Sequence, residues 1–240
     1  MAAGVDGCPA GWVVATGWPS PAIAVVATIA AVMRLVGADA TVAVDIPIGL
    51  PDRIEGPGRP AEQAVRSLLG GRQSSVFSVP ARDAVWCEDY REACAIAALR
   101  STPPRRISKQ AFMLFRKICE VDAFLRGGPG RAERLLETHP EVVFWALNGG
   151  RPLAEPKKVK GRVHGPGMAE RIALLERAGL VLPDDVHAAP AGSGRDDVVD
   201  ALACLVVARD LADGHARPFP SPPARDRFGL PIAIWAPRPR

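Results

Sequence analysis

Cysteine is sparse and unpatterned in this chain. Cys8, Cys87, Cys94, Cys119 and Cys204 are odd in number and never spaced Cys-x-x-Cys. They read as reduced thiols rather than a disulfide framework. Histidine does not supply a zinc motif either, because His139, His164, His187 and His215 are scattered. A membrane span is also missing: the apolar stretch from Ala22 to Val36 is broken by Thr28 and Arg34 and is too short. The start, Met1-Ala2-Ala3-Gly4, lacks a secretory signal pattern, so a cytoplasmic location is expected. No internal repeat is visible.

What is present is a globular composition. The chain has 240 residues, 48% hydrophobic and 23% charged. At this size folding removes roughly 70% of the chain's surface from water. The net charge of +4 says little, but its distribution says more. From Arg100 to Arg171 fifteen Lys and Arg stand against seven Asp and Glu, a local excess of eight positive charges. Such a stretch attracts polyanions at long range. A solvated face on an Arg-rich protein accounts for the same count.

Apolar patterning and turn residues predict strands at 2–6, 11–17, 22–28 and 41–46, with a short helix at 29–37. Residues 47–82 are loop-rich, with a helix at 60–69. Helical patterns follow at 83–99 and 107–126, separated by Pro103-Pro104. A fifth strand at 134–139 stops at Pro140, which starts a short helix through Leu147. A basic loop, Pro156 to Arg162, precedes a helix at 167–178, and a last long helix runs from 195 to 212. The tail, 214–240, is rich in Pro and Arg, and only 230–235 reads as strand. The expected fold is α/β: one domain over 1–240, a mixed sheet with flanking helices, and a helical insertion at about 47–131 between strands four and five.

Acidic residues fall where apolar segments end or are interrupted. Asp6 closes Ala3-Gly4-Val5, Asp45 interrupts Val42 to Ile46, and Asp197 and Asp200 sit three apart at the start of the last helix. A carboxylate in a core-forming segment is costly unless a cation compensates it. Each also has a structural alternative. Asp6 precedes a turn glycine, and Asp196 and Asp197 suit the positive end of a helix, with Ser193 as N-cap and Asp196 completing a capping box. Asp45 and Asp200 are harder to explain that way, since Asp is disfavoured in strands and Asp200 is the one polar residue between Val198 and Ala208. Glu137 and His139, two apart on a strand, share a face. Either is a further candidate ligand.

Taken together, Asp at strand one, an acid at strand four and Asp-x-x-Asp on the final helix resemble the ribonuclease H-like superfamily. Val198-Val199-Asp200-Ala201-Leu202-Ala203 is similar to the last motif of RuvC-type Holliday-junction resolvases. More of the chain resembles a bacterial and archaeal family of predicted ribonuclease H-like nucleases of unknown function. The matching pieces include Gly4-Val5-Asp6-Gly7, Val44-Asp45-Ile46-Pro47-Ile48-Gly49-Leu50, Arg72-Gln73-Ser74-Ser75, Glu137-Thr138-His139-Pro140-Glu141 and Asp200-Ala201-Leu202. The resemblance implies the fold and a metal site, without implying a substrate.

The expected activity is therefore Mg²⁺- or Mn²⁺-dependent hydrolysis of phosphodiester bonds in DNA or RNA, since hard ions suit an all-carboxylate site. Asp6 is expected to bridge two metals roughly 3.5–4 Å apart, with Asp45 and Asp200 each completing one shell. Asp197 or Glu137 would add a ligand or position water. Arg72, Arg82, Lys158 and Lys160 are the candidate phosphate contacts. Two rivals stay open: a catalytically silent nucleic-acid-binding module, and an actin-like small-molecule phosphotransferase using the Asp6-Gly7 turn.

Overall fold

The computed structural model describes residues 1–239. The chain opens with three antiparallel strands, β1 (Ala2–Cys8), β2 (Gly11–Thr16) and β3 (Ala22–Val26), followed by helix α1 (Ile29–Val36). The Thr28 hydroxyl accepts from the Ala31 amide and starts α1. Strand β4 (Thr41–Asp45) then returns parallel to β1, and β5 (Leu135–Glu137) adds parallel to β4. The sheet order is β3-β2-β1-β4-β5, a mixed sheet with helices on both faces.

Between β4 and β5 lie α2 (Pro60–Arg66), α3 (Tyr90–Leu99) and α4 (Phe115–Arg126), with short turns at Arg82–Val85, Lys109–Met113 and Arg131–Arg134. The expected helices at 83–99 and 107–126 are each broken, the first between Trp86 and Asp89, where Asp89 caps α3, and the second at Leu114. The helix expected to reach residue 69 gives way at Ser67 to a tighter 3₁₀ segment containing Gly70 at φ 49°. After β5 come α5 (Pro140–Leu147), α6 (Gly165–Arg177) and α7 (Arg195–Ala212).

The tail differs most from expectation. It forms a hairpin of β6 (Arg217–Arg225) and β7 (Pro231–Ala236), where only the second strand was expected. Four prolines in β6 remove backbone donors, so the pairing shifts register between Phe219 and Ala224. This hairpin is part of the core: Ile232, Ile234 and Ala236 bury against Ala61 and Val65 of α2 and Trp145 of α5.

Strand parity sorts the two faces of the central sheet. Val5, Val44 and Leu135 pack with α1 and α4, whereas Val13, Ala15 and Ala43 pack against α7. Helix α7 is buried on all sides, with every residue from Val198 to Ala208 enclosed. It seats tightly because β1 carries glycine at residue 4. A Cβ there would lie 2.0 Å from the Leu205 amide nitrogen and 2.1 Å from the Ala201 carbonyl oxygen.

Candidate metal centre

Register brings the first two acids together. Asp6 and Asp45 are partners across the parallel β1–β4 pair, so their side chains leave the same face of the sheet. Asp6 lies two residues before the end of β1 rather than at it; Asp45 is the last residue of β4. That face is the one covered by α7, and the close contact at Gly4 sets the first turns of α7 beside them, including Asp200. The three acids line one cavity of about 700 Å³ at the carboxyl ends of the parallel strands. Ligands of open α/β sheets bind at such ends.

The electrostatics of the cavity are strained. Asp6 accepts a hydrogen bond from the Gly7 amide at 2.7 Å. Burial pushes its carboxyl well above the usual range, and Asp45 and Asp200 push the same way. Burial lifts Asp45 to about 6, with His139 opposing the rise and Asp200 reinforcing it. Asp200 is raised by burial, against the pull of Lys157. The Lys157 ammonium donates directly to Asp200 Oδ2. Burial works to discharge that ammonium, but Asp200 and Asp6 hold it above its ordinary value.

Glu141 belongs to this group although the residue pattern does not single it out. It sits in the first turn of α5, 8% exposed, and lines the same cavity. One carboxylate oxygen accepts from Arg171, whose side chain is fully buried. The other, Oε2, is buried with no hydrogen-bond partner among the described residues. A buried carboxylate oxygen without a donor is a group in want of a cation. In the sequence, a Glu right after the Pro that opens a helix reads as favourable first-turn charge, which conceals it. Lys157 is equally inconspicuous, one basic residue within a basic loop.

Several candidates are engaged by other partners. Glu137 pairs with Val44, not Asp45, so it leaves the opposite face of the sheet. There its oxygens accept from Arg59 at 2.6 and 3.2 Å and from the Ile48 amide at 2.7 Å. Its carboxylate holds the insertion to β5 through Arg59, while the residue also lines the cavity. On α7 the capping roles are exchanged. Gly194 is the N-cap, and Asp197 Oδ2 accepts from its amide at 2.8 Å. Ser193 instead bonds to Pro190, and Asp196 pairs with Lys158 at 2.5 Å.

Arg82 is no phosphate contact. It is 3% exposed and clamps Asp122 and Asp226 at 2.6 Å each. Lys160 forms the exposed tip of a small hairpin at φ 49° and does not line the cavity. Arg72 and Lys158 do line it, as does Lys117 from α4. The basic excess between Arg100 and Arg171 is also partly neutralised within the fold, since Arg126, Lys157, Lys158 and Arg171 are all ion-paired.

The residues fit a divalent cation in chemistry more than in present geometry. Among the described residues no three His, Cys, Asp or Glu side chains are drawn together as a ready-made metal site. The donors are nonetheless hard carboxylate oxygens, one of them orphaned. Glu141 is paired with Arg171, Asp196 with Lys158, and Asp197 with the helix cap. Asp6, Asp45 and Asp200 are left to share the Lys157 ammonium. With all three ionised, one ammonium leaves two negative charges uncompensated, the charge of one divalent ion.

Among the described residues no helix is long and apolar enough to cross a membrane. No curated protein and no solved structure matches the chain. A family model does, across residues 4–225, a span holding every acid of the cavity: the chain belongs to the family described as protein of unknown function (DUF429).

Proposed function

We propose that this protein hydrolyses phosphodiester bonds of nucleic acid with Mg²⁺ or Mn²⁺ held by Asp6, Asp45 and Asp200, with the free oxygen of Glu141 as a fourth donor. The observation that carries the reading is the register pairing of Asp6 with Asp45 beneath Asp200, three carboxylates in one cavity beside a single ammonium, Lys157, that pairs with Asp200. The antiparallel β1–β3 unit with β4 added parallel to β1 supports the ribonuclease H-like expectation. Such an ion, when bound, supplies Lewis-acid activation of water and neutralises charge building on the phosphate.

The chain's own groups supply binding and orientation. Arg171, anchored on the Gly167 carbonyl at 2.8 Å, fixes one oxygen of Glu141 and leaves the other without a donor among the described residues. Arg72 and Lys117, on the cavity wall, would contact phosphate oxygens. The volume of about 700 Å³ falls in the range of roughly 300–1,000 Å³ common for small-ligand sites, enough for a nucleotide segment.

The test is a panel of labelled single-stranded, duplex and branched DNA and RNA incubated with Mg²⁺, Mn²⁺ or EDTA, beside Asp6→Asn. Metal-dependent cleavage that Asp6→Asn abolishes is expected. A second reading, a catalytically silent nucleic-acid-binding module, draws on the Lys157–Asp200 pair, which already neutralises one acid. Tight binding without cleavage under any metal would select it.

A further inference from the structure

Resting on the metal reading above, we propose that Lys157 is a tethered counterion: its ammonium holds the cation position of the metal-free protein and must leave before a divalent ion binds. The ammonium sits against Asp200 Oδ2, with Lys157 24% and Asp200 6% exposed. It acts on Asp6 and Asp45 as well, so one flexible side chain serves all three acids. A divalent ion joining the same oxygens would meet a positive charge at contact distance. Like charges so placed in a poorly solvated site exclude one another.

The segment carrying Lys157 is built to move. Its upstream side is anchored: the Ala154 and Glu155 amides donate to Glu170 at 3.1 and 3.0 Å, and Arg171 reaches the Glu155 carbonyl at 3.2 Å. Pro156 lies so close to Gly167 that a Cβ there would stand 2.0 Å from its carbonyl oxygen. Downstream of this anchor, Lys158–Val159 and Arg162–Val163 pair with each other as an exposed two-stranded hairpin, joined to no other strand among the described residues. The Lys158–Asp196 ion pair links that hairpin to α7, and Lys158 is 46% exposed. Two-stranded hairpins with little burial open at small free-energy cost. Withdrawal of Lys157 therefore has to break its own pair with Asp200 and, where the hairpin moves with it, the half-exposed Lys158–Asp196 pair.

A site filled by its own lysine binds added metal with an affinity reduced by the fraction of time the lysine is seated. Calorimetric Mn²⁺ titrations of wild type, Lys157→Met and Lys157→Arg, all free of nucleic acid, test this. Lys157→Met is expected to bind Mn²⁺ about tenfold tighter or more, with Lys157→Arg close to wild type. Without metal, Lys157→Met should melt below wild type, because three acids lose their shared cation. In wild type, saturating Mn²⁺ should speed trypsin cleavage between residues 157 and 162, and this decides the matter if Lys157→Met does not fold. Mn²⁺ affinity equal to or weaker than wild type in Lys157→Met, or cleavage unchanged or slowed by Mn²⁺, overturns the inference alone. Absence of Mn²⁺ binding in wild type and both variants overturns the metal reading and the inference with it.

Discussion

Asp45 shows how much one position decides. Its carboxyl is lifted from the ordinary 3.8 to about 6, chiefly by burial. In that window the folded protein keeps a proton that the unfolded chain has already lost. Stability contributed by protonated Asp45 is thus present at low pH and falls as pH rises toward 6. In EDTA, Asp45→Asn should gain melting temperature over wild type as pH rises from 5 to 7, and saturating Mg²⁺ should erase the gain at pH 7. A difference that shrinks over this range contradicts the assignment. Asp197 makes the opposite kind of prediction. Asp197→Ala should cost about 1 kcal/mol in denaturant unfolding, the worth of its hydrogen bond to Gly194, without changing Mn²⁺ affinity.

Asp6, Asp45 and Asp200 were legible in the sequence because each breaks an apolar segment, a signal that needs no tertiary knowledge. Glu141 was hidden as a first-turn helix charge, and the Arg59 partner of Glu137 was not legible for another reason. Which face a strand residue takes relative to its neighbour depends on register, and the Val44–Glu137 pairing is set by contacts between distant segments. Asp196 and Asp197 exchanged roles because the N-cap is Gly194, one residue later than the Ser193 the pattern favours.

Among the elements, α7 against β1 is the contact on which the site depends. Gly4→Ala drives a methyl group into the backbone of α7 at 2.0–2.1 Å, so helix and strand must separate. Overpacking typically costs about 1–3 kcal/mol, and here the displacement also shifts Asp200 from Asp6. Weakened Mn²⁺ binding together with a lower melting temperature is expected; unchanged binding would show that the acids do not need this approach. The early strands and the long buried helix were readable from apolar pattern and turn residues. Strand β6 was not, because its prolines argue against a strand. It forms on a two-stranded edge where missing amides matter little, and where the Ala61, Val65 and Trp145 surface gives its partner a core to join.

At the scale of the whole molecule, one buried cation joins distant parts of the chain. Arg82 holds Asp122 of the helical insertion and Asp226 of the tail, and Asp226 also accepts from the Leu50 amide at 3.0 Å. Arg82→Ala leaves two buried carboxylates without that partner and should cost about 3–5 kcal/mol, read as a lowered denaturant midpoint. The tail is thus structural, although its Pro- and Arg-rich composition offered one strand alone. The basic stretch was legible as a count but not as a surface, because ion pairing with distant acids depends on the fold. Mn²⁺ binding tests the central claim most directly. Calorimetry on wild type, Asp6→Asn, Asp200→Asn and Asp197→Asn should show binding retained in wild type and Asp197→Asn and lost in the other two. Binding that survives in Asp6→Asn, or disappears in Asp197→Asn alone, would contradict a metal centre built on the paired strands.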